Sequence, residues 1–373
     1  MQVLVTGAYG FIGQNLVQAL RREQGIDIAL FGAKDSMDHL RTEVERADII
    51  FHLAGANRPS DASDFEKINT NLTSTICDLL RSSDSTKRTK QIVFSSTIQA
   101  TLDNPYGKSK LAAEECVRNL ARTNNILPRI YRLPNVFGKL SRPHYNSVVA
   151  TFCSQIANKQ PIHISNPEHE LRLVYIDDVV QSFLRHLNPG HDTQQDWQVD
   201  KEHRCTLQGL ADRIRQVDAI RDTLLIPDMS DTVTKALHTT YLSFVDPHKM
   251  STPATVKTDP RGWLFELTKS KAFGQVFVSS TLPGVTRGNH YHDSKIEKFC
   301  LVQGDAIIRL RKLDSSEVIE YPVNDREIRI TDIPPGYTHS IENIGAVPMI
   351  VLFWANEIFD PNRPDTHMEF VLK

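Results

Sequence analysis

The chain has 373 residues, a hydrophobic fraction of 40% and a formal net charge of -2. This length favours two globular domains, and the near-neutral charge gives no basic field for nucleic acid or an anionic membrane surface. No apolar run approaches the length of a membrane span and the first residues enter a strand, so we expect a cytoplasmic protein with neither nucleic acid nor an inserted membrane segment as partner.

The two halves of the chain have different sequence patterns. From Met1 to about Leu184, short β-rich apolar runs alternate with segments of helical period, which predicts βαβ units and a parallel sheet. Residues 206–243 predict helices that close this domain, and from about residue 260 short strands alternate with turn residues. The fold class is therefore α/β, a Rossmann-type doubly wound parallel sheet over residues 1–243, followed by an all-β barrel over 244–373.

A glycine-rich turn follows the first strand and precedes a helix that we expect to begin around Gln14. Gly7 and Gly10 permit a tight turn close to a pyrophosphate, and the helix N-terminus adds N–H donors. The order strand, glycine loop, helix makes this a dinucleotide site. The residues predicted to contact the cofactor here are Gly7, Tyr9, Gly10, Phe11 and Ile12.

A second small-residue turn, Leu53, Ala54 and Gly55, ends a later strand and is a further candidate for cofactor contact. The end of the second strand carries Phe31, Gly32 and Ala33, where a site that prefers NAD usually places an acidic residue for the ribose 2′-OH. Lys34 follows directly and suits a 2′-phosphate, so we predict NADP(H), although Asp35 argues against that choice.

Tyr106 and Lys110 stand at Y-x-x-x-K spacing, which places both on one face of a helix. An ammonium near the phenol lowers its pKa, so Tyr106 could deliver a proton to a carbonyl that receives a hydride. Thr97, upstream, could donate a second hydrogen bond to that oxygen. These three residues are the predicted catalytic set, and Tyr106 and Lys110 are also predicted to contact the cofactor, whose ribose hydroxyl the ammonium could hold.

Four ligand-type side chains lie in two motifs punctuated by glycine and proline, His290-x-His292-x4-Glu297 and Pro334-x-Gly336-x2-His339. Strand alternation puts His290 and His292 on one face, and we expect Glu297 and His339 to reach them from neighbouring strands. Three imidazoles and a carboxylate form a site for a divalent transition metal with open positions for water or substrate.

Residues 1 to about 243 resemble the extended short-chain dehydrogenase/reductase family that acts on nucleotide sugars, through GAYGFIG, HLAG, FSST, YGKSK, RLPNVFG and RLVYIDDVV. The resemblance implies that Asn135 and Arg172 contact the nucleotide-diphosphate end of the substrate. From the residues alone, Arg172 could equally be half of a surface ion pair. Only eight residues separate Thr97 from Tyr106, fewer than is usual in this family.

Residues 260–373 resemble the cupin superfamily, and the runs NPYGKSK, GNHYHDSKIEKF and IPPGYTHSIEN resemble the capsular polysaccharide-synthesising CapF family over nearly the whole chain. This second resemblance implies a zinc-dependent barrel that epimerises carbon 3 of a UDP-2-acetamido-2,6-dideoxy-4-hexulose. It also implies that the first domain reduces carbon 4 with NADPH. The product would be UDP-2-acetamido-2,6-dideoxy-L-talose, a precursor of UDP-N-acetyl-L-fucosamine for capsule or O-antigen.

Other interpretations remain open at this point. The barrel could be a non-catalytic dimerisation or sensing module of a UDP-keto-sugar reductase, or on its own an iron-dependent dioxygenase, and the whole chain could be a regulator that responds to NADP(H). Because cupins often self-associate, we expect a homodimer. Ligand type does not name the ion. Lys295, Tyr291 and Tyr337 are weak candidates for the base of an epimerisation.

Overall fold

A computed structural model of the protein describes residues 1–59, 61, 63–82, 90–121, 126–188 and 194–373. The chain forms two compact units, residues 1–214 with 236–245 and residues 215–235 with 246–373. Residues 215–235 thus pack with the second unit, whereas we expected all of 206–243 to close the first. Domain limits at 1–243 and 244–373 stay a prediction. No helix in the described part of the chain is long and apolar enough to cross a membrane.

The α-helices alternate with strands in the first unit and give way to a nearly continuous succession of strands in the second. Their bounds are α1 Phe11–Leu20, α2 Met37–Arg46, α3 Leu72–Ser82, α4 Pro105–Ala121, α5 Val148–Ala157, α6 Ile176–Leu184, α7 Leu207–Thr223 and α8 Thr232–Leu242. A π-helix, Phe65–Asn71, leads into α3, and short 3-10 turns cover Ile98–Thr101, Arg185–Leu187 and Pro247–Lys249.

A six-stranded parallel sheet forms the centre of the first unit, in the order β2-β1-β3-β4-β5-β8. The chain leaves β1 toward opposite edges of the sheet, first to β2 and then to β3, so the switch point of this doubly wound sheet lies between β1 and β3. The carboxyl ends of β1 and β3 carry the two glycine turns. The strands are β1 Gln2–Thr6, β2 Asp27–Phe31, β3 Ile49–His52, β4 Lys90–Thr97, β5 Ile126–Leu133 and β8 Asp196–Trp197.

Both faces of this sheet are buried. Val3 and Val5 of β1 pack in one hydrophobic cluster with residues of α1 and α6, whereas Leu4 packs in a second cluster with residues of α2, α3 and α4. Because successive side chains of a strand point to opposite faces, a run of apolar residues such as VLV fits a strand that is covered on both sides. A small sheet, β6-β7-β9, completes the unit with β6 Asn135–Phe137, β7 Glu170–Tyr175 and β9 His203–Thr206.

The second unit consists mainly of two antiparallel sheets, in the orders β10-β11-β12-β19-β14-β17 and β16-β15-β18-β13-β20. Phe299 and Phe353 from the first sheet and Ile308 and Ile341 from the second share one buried cluster, which is the barrel core. The strands are β10 Lys257–Asp259, β11 Gly262–Ser270, β12 Gly274–Thr281, β13 Thr286–Tyr291, β14 Glu297–Gln303, β15 Asp305–Lys312, β16 Val318–Asn324, β17 Ile330–Ile333, β18 Tyr337–Asn343, β19 Met349–Ala355 and β20 His367–Met368. The predicted fold class, a Rossmann-type sheet followed by an all-β barrel, is confirmed.

Candidate active site and metal centre

The glycine loop lies against the turn that follows β3. Gly7 has a φ of +68°, and a Cβ at that position would lie 2.6 Å from the Ala54 nitrogen, so a larger residue would strain the turn and push the two loops apart. Gly10 is the N-cap of α1, and the amide of Gln14 donates to its carbonyl oxygen at 2.9 Å. The helix therefore starts at Phe11, three residues before the predicted Gln14, and its first N–H groups have no partner within the helix.

An open cleft of about 370 Å³ runs along the carboxyl ends of β1, β3 and β4. It brings together ten of the predicted residues: Gly7, Gly10, Phe11, Ile12, Leu53, Gly55, Thr97, Tyr106, Lys110 and Asn135. Four others do not line it. Of these, Ala54 packs under Gly7, Tyr9 is 60% exposed with its ring beside Gly32, and Lys34 and Arg172 lie elsewhere.

The start of α4 positions Tyr106 and Lys110. Asn104 accepts a hydrogen bond from the amide of Gly107 at 2.8 Å, and Pro105 is the first helical residue, which are both favourable features of a helix N-terminus. The Thr97 hydroxyl, at the end of β4, lies close enough to the Tyr106 phenol to affect its pKa. Burial raises the pKa of Tyr106 and the Thr97 hydroxyl offsets part of the rise, so the phenol stays protonated and can donate a proton.

Lys110 is buried at the base of the cleft, where its ammonium donates to the Ser95 carbonyl at 2.8 Å and lies 4.8 Å from the centre of the Phe94 ring. Burial lowers its pKa to about 8, while the charge of Glu114 acts in the opposite direction. We expected Lys110 to lower the pKa of the Tyr106 phenol, but burial raises that pKa and the lowering contribution comes from Thr97. At neutral pH the site thus holds a neutral phenol beside an ammonium.

Hydrogen bonds from the π-helix fix the second glycine turn. The Asn69 amide donates to the Ala56 carbonyl at 2.9 Å and to the Ser109 hydroxyl at 3.0 Å, and its oxygen accepts from the Ala56 amide at 2.8 Å. Sequence reasoning missed Asn69, because its partners lie 13 and 40 residues away. It also missed Glu114, a buried carboxylate one turn after Lys110 that accepts from the Ser96 hydroxyl at 2.5 Å.

Lys34 and Asp35 lie in the turn after β2. Lys34 is exposed, and the Asp35 carboxylate accepts a hydrogen bond from the Gly32 amide at 2.8 Å. One oxygen of Asp35 is thus engaged by the backbone of the turn itself. The predicted preference for NADP(H) over NAD(H) stays a prediction.

Arg172 and Asn135 are adjacent on paired strands. The Asn135 amide donates to the Arg172 carbonyl at 3.2 Å, but the Arg172 guanidinium makes a bidentate ion pair with Glu202, with N–O distances of 2.7 and 2.6 Å. Arg172 lines a second open cleft, of about 690 Å³, which shares Ile98 and Pro134 with the first. The two clefts adjoin, and a substrate role for Arg172 and Asn135 stays a prediction.

In the barrel, His290, His292, Glu297 and His339 offer ligand atoms that all lie within 4.8 Å of one another. His290 of β13 is paired with His339 of β18, as expected for neighbouring strands. Glu297, by contrast, reaches the cluster from the start of β14 in the opposite sheet, which differs from the expected neighbouring strand.

A bulge in β13 makes this pairing possible. The strand register shifts between Gly288 and His290, where Gly288 has a φ of +95° and Asn289 a φ of +58°. A Cβ on Gly288 would lie 2.7 Å from the His339 carbonyl oxygen, so glycine lets the two strands approach. The bulge turns His290 toward His339, and their ring centres are 4.5 Å apart.

The chemistry of this cluster fits a divalent cation. The Nε2 atoms of His292 and His339 are buried without a hydrogen bond and lie 3.3 and 3.4 Å from the same Glu297 oxygen. Burial alone would raise the pKa of Glu297, but the two histidines outweigh burial and lower it to about 2. Burial and the neighbouring histidines lower the pKa of His290 to about 4. A neutral imidazole at His290 and an ionised carboxylate at Glu297 are protonation states that a metal requires.

The C-terminal segment holds the loop between His292 and Glu297. The Asp365 carboxylate accepts hydrogen bonds from the amides of Asp293, Ser294 and Lys295 at 2.8 to 3.0 Å. The backbone carbonyl oxygen of Asp365 lies 2.5 Å from Nδ1 of His292. This contact orients the His292 ring, as outer partners of metal-binding histidines commonly do. Asp365 gave no sequence signal because it lies 73 residues from His292.

The three residues considered as an epimerisation base do not line the metal cavity. The Lys295 ammonium donates to the Pro364 carbonyl at 2.8 Å. Tyr291 stacks on His367 at 5.0 Å between ring centres, and Tyr337 packs against the barrel core. Each has a structural role.

The chain matches two family models, one for each half. Residues 3–199 match the NAD dependent epimerase/dehydratase family, and residues 257–367 match the polysaccharide biosynthesis C-terminal domain. A Pseudomonas aeruginosa protein named UDP-2-acetamido-2,6-beta-L-arabino-hexul-4-ose reductase is 40% identical over 367 residues, 98% of each chain. The crystal structure of the capsular polysaccharide assembling protein CapF from Staphylococcus aureus is 37% identical and superposes with a TM-score of 0.92 over 100% of both chains.

The chain belongs to the CapF family. Membership makes it a nicotinamide-dependent enzyme of the reductase and epimerase type, joined to a C-terminal domain of polysaccharide biosynthesis. UDP-glucuronic acid 4-epimerase from Bacillus cereus, crystallised with NAD, is 16% identical, with a TM-score of 0.55 over 65% of this chain and 98% of its own. This last likeness shows the fold of the first unit alone.

Proposed function

We propose that the protein is a bifunctional nucleotide-sugar enzyme. In this proposal the barrel epimerises carbon 3 of a UDP-2-acetamido-2,6-dideoxy-4-hexulose, and the first unit reduces carbon 4 with NADPH to give UDP-2-acetamido-2,6-dideoxy-L-talose. Such a product would serve as a precursor of UDP-N-acetyl-L-fucosamine for capsule or O-antigen. The observation that carries the proposal is the presence on one chain of a protonated Tyr106 in the dinucleotide cleft and a four-ligand cluster in the barrel.

The reduction would use the cleft as follows. A reduced nicotinamide supplies the hydride, and Tyr106 donates the proton to the carbonyl oxygen. The Thr97 hydroxyl, which lies close to the phenol, would help to hold that oxygen. The ammonium of Lys110 keeps positive charge under the site as the oxygen takes up electrons. The name of the Pseudomonas relative, a reductase of a 4-hexulose, supports this half.

The adjoining clefts support a nucleotide-linked substrate. The first cleft reaches Tyr106, and the second, larger cleft carries Arg172 and leads away from Ile98 and Pro134. A sugar beside Tyr106 would leave its diphosphate and uridine in the second cleft. Arg172 would then exchange its ion pair with Glu202 for a phosphate, since a guanidinium binds either anion in the same bidentate manner.

The epimerisation would come first, because reduction removes the carbonyl that makes the neighbouring proton acidic. A divalent cation, which we take to be zinc, would supply Lewis acidity that stabilises the enolate form of the sugar. His290, His292, Glu297 and His339 would hold it, with Asp365 fixing the His292 ring. The apolar wall formed by Phe277, Phe299 and Phe353 would exclude water from the deprotonated sugar.

Replacement of His290 tests the epimerase half against the rival idea of a non-catalytic barrel. The experiment incubates the UDP-4-keto sugar in deuterated water without NADPH and follows exchange at carbon 3 by NMR. His290→Ala should abolish exchange, while the exposed His248→Ala should leave it at the wild-type rate. Exchange that continues unchanged in His290→Ala would eliminate the catalytic role and leave the barrel as a dimerisation or sensing module.

Titration with NADPH and NADH tests the cofactor choice. NADPH should bind more tightly than NADH. Lys34→Ala should weaken the binding of NADPH by about fivefold and leave the binding of NADH unchanged, because only the 2′-phosphate of NADPH needs the ammonium. Tighter binding of NADH by the wild type would refute the preference.

A further inference from the structure

The metal cavity has a second polar wall that the ligand cluster does not use. The cavity measures about 180 Å³, and its lining includes Ser279, Arg287 and Arg261 besides three of the metal ligands. Ser279 lies on β12 and Arg287 on β13. We call these three residues the donor wall.

The hydroxyl of Ser279 has an unmet hydrogen-bonding requirement. Ser279 is only 3% exposed, and its Oγ has no hydrogen-bond partner among the described residues. A buried hydroxyl without a partner costs about 1–3 kcal/mol, so such groups usually face a ligand or an ordered water. Here the residue lines the cavity of the metal cluster.

Arg287 is held in place and has donors left over. Its Nε donates to the Thr281 hydroxyl at 2.9 Å and one Nη2 hydrogen to the Ser280 carbonyl at 3.3 Å. A guanidinium has five N–H donors, and no hydrogen bond from Nη1 of Arg287 reaches any residue that the structure describes. The side chain is only 12% exposed, so water satisfies the remaining donors poorly.

The donor wall also lacks negative charge. The nearest carboxylate oxygen to Arg287 belongs to Asp259, at 3.8 Å, and Arg261 already binds that carboxylate through Nε and Nη2 at 3.1 and 2.6 Å. Two guanidiniums thus share one carboxylate, so one of the two positive charges has no counterion among the described residues. Burial and the charge of Arg261 lower the pKa of Arg287, as expected for a cation that is short of a counterion.

We infer that the donor wall binds the phosphate-bearing end of the nucleotide sugar while the part of the cavity that carries the metal ligands faces the sugar carbonyl. A cavity of about 180 Å³ is smaller than the usual 300–1,000 Å³ of a site that encloses a whole small ligand. It has room for the sugar ring and leaves the nucleoside outside. In a 4-keto sugar the carbonyl and the anomeric phosphate lie at opposite ends of the ring. This matches two separate polar parts of the cavity, because Ser279 pairs with Val351 of β19 whereas the metal ligand Glu297 pairs with Ala355, further along the same strand.

The inference rests on the proposed function in one respect, since it requires a divalent cation at the ligand cluster. It adds that the barrel recognises phosphate by itself. Arg287 supplies the charge, Ser279 a hydrogen bond to the same end of the ligand, and Arg261, whose side chain is 51% exposed, the outer edge of the wall.

The test uses the full chain loaded with Mn²⁺ and UDP-N-acetylglucosamine, an unreactive nucleotide sugar. Bound Mn²⁺ broadens the phosphorus-31 signals of a ligand whose phosphate lies near it, so the titration reports binding in the barrel. We expect strong broadening with the wild type and at least about a tenfold weaker apparent affinity for Arg287→Gln, since a charge-assisted hydrogen bond is lost. Arg329→Gln, which changes an exposed arginine of the same unit, is the matched control and should behave as the wild type.

Two further variants separate binding from folding. Ser279→Ala should weaken the broadening by a few-fold without lowering the Tm, because it removes an unpaired buried hydroxyl. Arg287→Lys should recover part of the affinity that Arg287→Gln loses. Phosphorus signals that are not broadened, or that are broadened equally in wild type and Arg287→Gln, overturn the inference.

The Mn²⁺ electron paramagnetic resonance signal distinguishes this failure from failure of the proposed function. If the wild type binds Mn²⁺ and His290→Ala does not, the ligand cluster is a metal site whatever Arg287 does. If both bind it equally or neither binds it, the metal-dependent half of the proposed function fails and the donor wall fails with it.

Discussion

In the reductase cleft the buried ammonium of Lys110 is hydrogen-bonded to the Ser95 carbonyl, and the Thr97 hydroxyl lies close enough to the Tyr106 phenol to lower its pKa. In the barrel cavity the corresponding atoms are not paired, and Nε2 of His292, Nε2 of His339 and Oγ of Ser279 are buried without a hydrogen bond. The cleft is therefore arranged by its own contacts, whereas the barrel site needs a ligand to satisfy it. We therefore expect loss of the bound ligand to destabilise the barrel and to leave the stability of the reductase cleft unchanged.

The largest effect expected from one substitution is in the cleft. Tyr106→Phe removes the proton donor and leaves the fold and the glycine loop intact, so NADPH oxidation with a UDP-4-keto sugar should fall by about 1,000-fold. Cofactor affinity, measured by fluorescence titration, should stay within about twofold because the glycine loop and the other predicted cofactor contacts remain.

Tyr321→Phe, at a 40% exposed position in the barrel, is the control and should keep the wild-type rate. If the Tyr106→Phe protein reduced the sugar at the wild-type rate, Tyr106 would not be the proton donor of the reduction.

Removal of the metal should destabilise the barrel and spare the reductase. An ion that binds only the folded state stabilises it by about 3 kcal/mol when the concentration of free ion is about 100 times its Kd. Chelation should therefore lower the free energy that protects the barrel amides from hydrogen exchange by a similar amount. Hydrogen–deuterium exchange followed by mass spectrometry would report this in peptides from β13, β14 and β18, with β1 and β4 as the internal control. In His290→Ala the chelator should have no further effect, and equal protection with and without metal in the wild type would contradict the comparison.

The pH dependence of reduction should sharpen the account of the cleft. Burial lowers the pKa of Lys110 to about 8, so its ammonium is present below that pH and is lost as the pH rises through it. The rate of reduction should therefore decline above pH 8. The negative charge of Glu114 raises the pKa of Lys110, so Glu114→Gln should move this decline to lower pH by roughly half a unit.

The exposed neighbour Glu115 offers a matched control, and Glu115→Gln should leave the profile in place. A decline that does not move in Glu114→Gln would mean that another group sets it.

Local sequence patterns predicted the parts of both sites that lie within a few residues of one another. The glycine loop follows one strand, Tyr106 and Lys110 lie on one helix, and His290 and His292 lie at the end of one strand and directly after it, so the sequence displays the period of each element. The contacts that hold these parts together could not be predicted in this way. Asn69 clamps the second glycine turn and Asp365 holds the loop after His292 through partners that only the folded sheets bring near.

The same reason explains the errors. Glu297 was expected on a strand next to the histidines, but which sheet a strand joins depends on long-range pairing. Ser279 and Arg287 gave no signal, since a serine or an arginine on a strand is ordinary until the cavity that it lines is known.

Product analysis in deuterated water tests most directly the claim that both sites act on one ketone. The wild-type enzyme with the UDP-4-keto sugar and NADPH should give a single talose product with deuterium at carbon 3 and, at carbon 4, the hydrogen that the cofactor delivered. A reduced product that keeps its original hydrogen and configuration at carbon 3 would contradict the account.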